Sequence, residues 1–501
     1  MRTFLAATLL GAGAALAAPG ALDLSFGQGG FATLPPGAIA DRADRARFVT
    51  TDAEGRVLAI GEASRPTDGP EGAVRVFARF LPGGLPDASL AGTGYLHTLP
   101  DPLLDAVGLR AFPVAGGKTL LVAQHRTLCW PPRPACALAI ATPYFFAQRV
   151  DAAGQVDPAY GVMATVSMDT VQQDVAASPD GSLTVVGYQH PPVPPGDPIF
   201  DVRGVDPAGQ LFTPWFPARA AWDCGTAADG SANSAKMARQ ADGRFLLAQQ
   251  VRGPTGANRL CVSRLNPDAT LDAGYGDGGR LRIDDARFAV VPVTIHALAV
   301  RRGGGAVMVL ETSFPAAPRE VFLAWLTEGG ALDASRGTQG IAGPLSLPIH
   351  GVAAAALQAD DKILLAGYPP LFAKTPPILV DLASPRIVRL DAAGDPDPGF
   401  GPAGEGFAPL FAPGRRLQPL HIHAGEANVI HVAGSLVESG SGGTRFAVAR
   451  LEGDPPPRER RGLWGTGCGF GFTRPIPPDP TLPALALAAA ALLLARGRRP
   501  G

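Results

Sequence analysis

"DGRFLLAQQVRGPTGANRLCVSRLNPDATLDAGYGDGG", residues 242–279, holds two short apolar runs, each bounded by a turn, and closes on an aromatic–glycine step. Runs rich in Val, Leu and Phe between Gly, Pro and Asp clusters read as strands. Its opening recurs as "EGRVLAIG" (54–61), "GGKTLLVAQ" (116–124), "DGSLTVVG" (180–187), "GGGAVMVLE" (303–311), "DDKILLAG" (360–367) and "ANVIHVAG" (427–434), giving seven copies 57 to 67 residues apart. Its second half recurs as "FARFLPGGLPDASLAG", "FAQRVDAAGQVDPAYG" and "IVRLDAAGDPDPGFG", and in degenerate form as "DVRGVDPAGQLFTPWF" and "LAWLTEGGALDASRG". One unit therefore reads strand a, tight turn, strand b, loop, strand c, tight turn, strand d. Four strands per unit, repeated along the chain, specify an all-β, seven-bladed β-propeller. The 3.6-residue stripes of a helical solenoid are missing.

Strand c carries an Arg and strand d an Asp eight residues later: Arg79/Asp87, Arg149/Asp157, Arg264/Asp272 and Arg389/Asp397. With a turn midway these positions face each other across a hairpin, where opposite charges are favourable. The third unit has Gly204 and Phe212 in the two slots, and the fifth has Trp325 with Asp333. The seventh supplies Arg450 but no Asp eight residues on. The isolated "LDLSFGQGG" (22–30) near the N-terminus offers Asp23. We therefore expect the strand at 22–31 to complete the last blade and close the ring, which removes the exposed edges a linear array of sheets would leave. A pair repeated along the chain is expected to serve the repeat itself rather than a ligand.

The combination of "DGkillaG" with "aRLnaDGxLDxxFGxxG" resembles the delta-60 repeat family of bacterial secreted β-propellers. The match covers roughly residues 22–453, is strong at "LDAGYGDGG", "PDPGFGPAG" and "LDLSFGQGG", and is weak in the third unit. The resemblance implies the propeller fold and carries no common activity with it.

The chain has 501 residues, 63 Gly, 51 Pro and a net charge of −1, so nothing in it advertises nucleic acid. "MRTFLAATLLGAGAALAAPG" has the charged start, apolar stretch and small residues of a secretory signal peptide, expected to span 1–18. Export permits disulfides. Cys129 and Cys136 flank a short loop, and Cys224 and Cys261 are then left to pair, although four cysteines allow three connectivities. The propeller is expected over 19–453, followed by a Pro/Gly-rich linker (454–480) and a short apolar segment ending in arginines (481–501). That order resembles the JDVT-CTERM kind of sorting tail, handled by rhomboid-type intramembrane proteases. The resemblance implies processing at Gly467 and Cys468, membrane contact through 481–495, and Sec-type export with a sorting protease as partners. A permanent single-helix anchor is the alternative.

The a–b and c–d turns are short, while the b–c and d–a connections are long and Pro-rich, so one face of the disc collects the variable loops. Such loops are where binding is usually carried. Trp130 and Trp215 are its aromatic candidates for a protein or glycan ligand. His97, His125, His190, His296, His350 and His421 fall near that face without metal-ligand spacing, and His421 and His423 alternate along one strand. No nucleophile, zinc or P-loop motif occurs, so no catalytic, metal or cofactor residue is assigned. The expectation is an exported binding scaffold without enzymatic activity. A hydrolase or lyase using the central funnel and a structural envelope component are the alternatives.

Overall fold

The computed structural model describes residues 18–34, 44–64, 73–98, 104–127, 144–160, 166–167, 170–189, 199–212, 235–252, 257–268, 270–312, 319–368, 385–425, 428–440 and 443–454. Within them the chain forms seven antiparallel sheets, one per repeat. The fourth is typical: Ala235–Arg239, Phe245–Arg252, Asn258–Leu265 and Arg280–Ile283 lie side by side in chain order. Strands a of neighbouring sheets touch around the whole circle, first to second and so on to seventh and first, which makes a seven-bladed β-propeller.

The hydrophobic core lies between blades. Successive strand residues point to opposite faces of a sheet, so each blade feeds two interfaces. In the seventh, Val432 and Ala447 pack toward the sixth blade, while Ala433 and Val448 pack toward the first. The fourth and fifth blades share Leu246, Val262 and Tyr275 with Ile295, Met308 and Phe322.

The seventh blade is built from both ends of the propeller. Its order is Phe31–Thr33, Thr444–Leu451, Ile430–Glu438, Arg415–Ala424 and a short extra strand, Phe411–Ala412. The expected closure is present in finer detail. The ladder proper is Phe31↔Ala449, Ala32↔Val448 and Thr33↔Ala447, with an isolated bridge from Leu22 to Leu451. Residues between them form the turn that carries Asp23. Phe31 packs toward the sixth blade and Ala32 toward the first, so three residues reach both interfaces.

The other blades explain this geometry. After strand c and its tight turn the chain makes a single bridge, for example Leu265↔Leu271, turns at Asp, and only then enters the outer strand. The strand c residue is a hub: the Arg264 carbonyl accepts the Asp272 N–H and the Arg264 N–H donates to the Gly279 carbonyl. The same two bonds join Arg79 to Asp87 and Gly94, Arg389 to Asp397 and Gly406, and Arg450 to Asp23 and Gly30.

Candidate functional site

Two constellations of charged side chains are built into the ring. The first is the Arg–Asp clamp. In the Asp carboxylate, Oδ1 accepts the backbone N–H two residues on, Ser25 for Asp23 and Gly274 for Asp272, and Oδ2 accepts from the Arg Nε at 2.7 Å in both. The guanidinium lies over the aromatic ring three residues beyond the Asp: Tyr160, Tyr275, Phe400 and Phe26 at 4.5 to 4.8 Å. It then crosses to the next blade, where Arg149 donates to the Pro207 carbonyl, Arg264 to that of Glu328 and Arg450 to that of Pro82. Arg79 and Arg389 are 2% and 1% exposed. Burial works against ionisation of Asp23, but its bonds to Ser25 and Arg450 hold the carboxyl below its ordinary range. Hydrogen bonds from Lys118 and the Ala159 N–H hold Asp157 at about 2. A charge this fully bonded inside the protein is a staple between blades.

The fifth blade shows the clamp in reverse. Trp325 stands in the Arg slot and Arg336 in the aromatic slot, with the guanidinium 5.9 Å from the ring and 3.4 Å from the Asp333 carboxylate. Arg336 also reaches the Ala392 carbonyl of the sixth blade. We expect Trp325→Arg and Arg336→Phe to destabilise singly and to compensate when combined, with a coupling of about 1–2 kcal/mol by urea denaturation. Additive losses would remove the exchange reading. In the third blade Gly204 pairs with Phe212 in the ladder and no clamp forms there.

The second constellation is the wall of the central channel. Strand a of six blades carries a β-bulge near its start: at Arg47, at Gly108–Leu109, at Gln173, at His296, at Ala353 and at Leu420. A bulge inserts one unpaired residue and re-aims the side chains beside it. All seven blades contribute to a cavity of about 520 Å³ lined by Arg47, Arg110, Asp174, Lys236, His296 and His421, with Ala353–Ala355 from the sixth. Strand a runs from the long-loop face to the a–b turn, so this collar lies toward the loop side.

The collar is wired from blade to blade. Asp174 accepts the Met237 N–H at 2.9 Å, and Glu311 accepts the Val352 N–H at 2.6 Å. Glu62 takes both Arg45 and Arg47, at 2.9 and 3.0 Å. Glu311 also pairs with Arg319 at 3.0 Å and stands 3.5 Å from His296. His421 Nδ1 accepts from the Val49 N–H, and its ring packs on Phe48 at 4.2 Å. Burial, with the cations Arg110 and Lys236, pushes His421 well below its ordinary pKa.

Of the residues singled out by sequence, His296 and His421 meet at the collar, while His97 and His350 are exposed elsewhere. His421 and His423 do point the same way, toward Val49 and Thr51 of the first blade. No metal-holding cluster occurs among the described residues. Cys261 is disulfide-bonded. Cys129, Cys136, Cys224, Trp130, Trp215, His190, Gly467, Cys468, the side chain of His125, residues 1–17 and 481–501 lie outside the described residues. Sequence reasoning overlooked the collar, although its signal is visible. A polar residue stands four or five positions before the a–b turn in six units: Arg47, Arg110, Asp174, Lys236, His296 and His421.

No family profile and no curated protein matches the chain. Solved structures do. The intramolecular trans-sialidase from Ruminococcus gnavus is 10% identical, with a TM-score of 0.36 over 83% of this chain and 96% of that one. The GH93 α-L-arabinofuranosidase of Fusarium graminearum is 11% identical, with a TM-score of 0.35 over 70% and 94%. The Hadza microbial sialidase Hz136 is 13% identical, with a TM-score of 0.32, and this chain spans 57% of its length. The expectation that the protein is not an enzyme is thereby corrected: the solved structures similar to it include a sialidase, a trans-sialidase and an α-L-arabinofuranosidase. At these identities the likeness concerns the fold alone.

Proposed function

We propose that the protein holds a small polar ligand of saccharide size at the bulged collar of its central channel. One observation carries this reading: bulges at the same level of six inner strands open a cavity walled by all seven blades. Its volume falls within the range of small-molecule sites, and polar groups converge in it from separate blades. Asp174 and His296 are the groups there best placed to exchange a proton with a bound molecule.

The test is a panel of neutral and acidic oligosaccharides, scored by thermal shift and by release of new reducing ends. Ala353 is exposed on the sixth-blade bulge, so Ala353→Trp is expected to fill the collar without disturbing a core. At least one saccharide should stabilise the native protein and leave Ala353→Trp unmoved. An equal shift in both proteins would place binding elsewhere and overturn the reading. Reducing ends released by the native protein alone would identify a hydrolase.

A further inference from the structure

The charges around the collar do not balance. Among the described residues, Arg45, Arg47, Arg110, Lys236 and Arg319 face Glu62, Asp174 and Glu311, five cations against three carboxylates. Glu62 and Glu311 are engaged by Arg45, Arg47 and Arg319. One charge of the surplus is shared among those three arginines; the other falls on Arg110 and Lys236, which have Asp174 alone between them. Arg110 donates one N–H to the carbonyl of its neighbour Leu109, and its other terminal nitrogen stops 3.9 Å from Asp174, beyond hydrogen-bond reach. Its guanidinium rests 5.2 Å from the centre of the Phe48 ring. Lys236 has neither a hydrogen bond nor an ion pair among the described residues.

A partly desolvated cation without a full counter-charge costs stability that an arriving anion returns. A guanidinium also presents parallel N–H groups that fit the two oxygens of a carboxylate. Low-dielectric walls around a cleft of one charge sign raise the local concentration of counter-ions. Asp174 cannot serve as that anion for both, since its Oδ2 is held by the Met237 N–H and its Oδ1 already faces Arg110.

We propose that the ligand of the channel is anionic, a carboxylate-bearing saccharide or sugar acid whose carboxylate seats between Arg110 and Lys236. This rests on the channel being the ligand site, as proposed above, and adds the chemical class.

The experiment compares galacturonate with galactose, and an oligogalacturonate with a neutral galactan oligomer of equal length, by titration calorimetry on the full chain. The acidic member of each pair is expected to bind at least about tenfold more tightly, about 1.4 kcal/mol. Added salt should erode that margin. Lys236→Met should bring the two members of a pair to parity, and Arg110→Gln should do the same. The Lys236 side chain has no hydrogen-bond or ion-pair partner among the described residues, so its variant stays informative if Arg110→Gln fails to fold. Equal binding of the neutral sugars, abolished by Ala353→Trp, would overturn the anionic class and leave the channel standing. An acidic preference that survives both Lys236→Met and Ala353→Trp would overturn both readings. No binding by either acidic probe would overturn the anionic class.

Discussion

Removal of Ala18–Thr33 abolishes the folded ring. The segment supplies the outer strand of the seventh blade, Phe31 and Ala32 to two interfaces, and Phe26 to the contact with the first blade. It also supplies the carboxylate that neutralises Arg450, paired with Asp23 at 2.5 Å. The pair is partly buried, so removing one partner costs less than breaking a fully buried pair, about 3–5 kcal/mol. Three fully buried apolar residues go with it: Phe26, Phe31 and Ala32. Their loss adds about 1.5–3 kcal/mol for each of the large ones. Together with the lost strand ladder, these losses are comparable to the whole stability of a domain, about 5–15 kcal/mol. Circular dichroism melts should show no cooperative transition for the truncated chain, and a synthetic peptide of residues 18–34 should restore it. Asp23→Asn alone should lower stability while keeping the fold. A truncated protein that melts as the native one does would show that the closure holds nothing together.

Acid opens the same seam. His421, His423 and His431 all lie where the seventh blade meets the first, and burial lowers the pKa of each, to about 4 for His423 and about 3 for His431. His423 Nε2 is 3.0 Å from the Thr51 hydroxyl, and the His431 ring packs edge-on against Phe26. Arg450 lies over the same Phe26, 4.6 Å from its centre, so protonating His431 sets a cation beside a cation. Because these pKa values lie below 6.5, the unfolded chain takes up protons first. The neutral imidazoles therefore contribute fully above about pH 6.5, and the contribution is lost as pH falls toward their folded values. Over that range His423 accounts for roughly 3 kcal/mol and His431 for roughly 5 kcal/mol. The clamp carboxylates are lowered from 3.8, so their contribution begins to fade only below about pH 5, and the interval between pH 6.5 and 5 belongs to the imidazoles. The melting temperature should fall steeply over that interval, and His431→Phe should flatten the profile. A profile flat from pH 7 to 4.5 would show that the imidazoles do not control the seam.

The architecture was legible because its signals are local and repeated. A tight turn followed by a β-rich run marks each a–b hairpin, and Arg with Asp eight residues later marks four of the c–d hairpins. The missing Asp after Arg450 sufficed to place Asp23 beside it. The blade-to-blade reach of the guanidinium was not legible, since nothing local records which carbonyl of the neighbouring turn it meets. The exchange of Trp325 and Arg336 was hidden because the pattern was read as one position with one charge, whereas the geometry needs a cation over a ring from either direction. The collar was missed for a related reason. Strand a was read as an apolar lead-in, but the innermost strand of a ring faces open space on one edge, and a bulge there turns polar side chains inward at a position that shifts by one residue between blades.

The join between Asp23 and Arg450 has a consequence for the order of events during synthesis. The first described segment to emerge must wait for a partner 427 residues behind it before it gains its strand ladder and its ion pair. Six blades can form their own hairpins as they appear, with loops of modest length to close. The seventh cannot be finished until residue 451 is available, and until then the buried edges of the first and last blades stay open to water. A nascent chain interrupted anywhere before that point therefore presents an unfinished interface, which is what quality-control proteases recognise. The fold thus contains its own check on completeness, and the waiting N-terminal strand is the part that performs it.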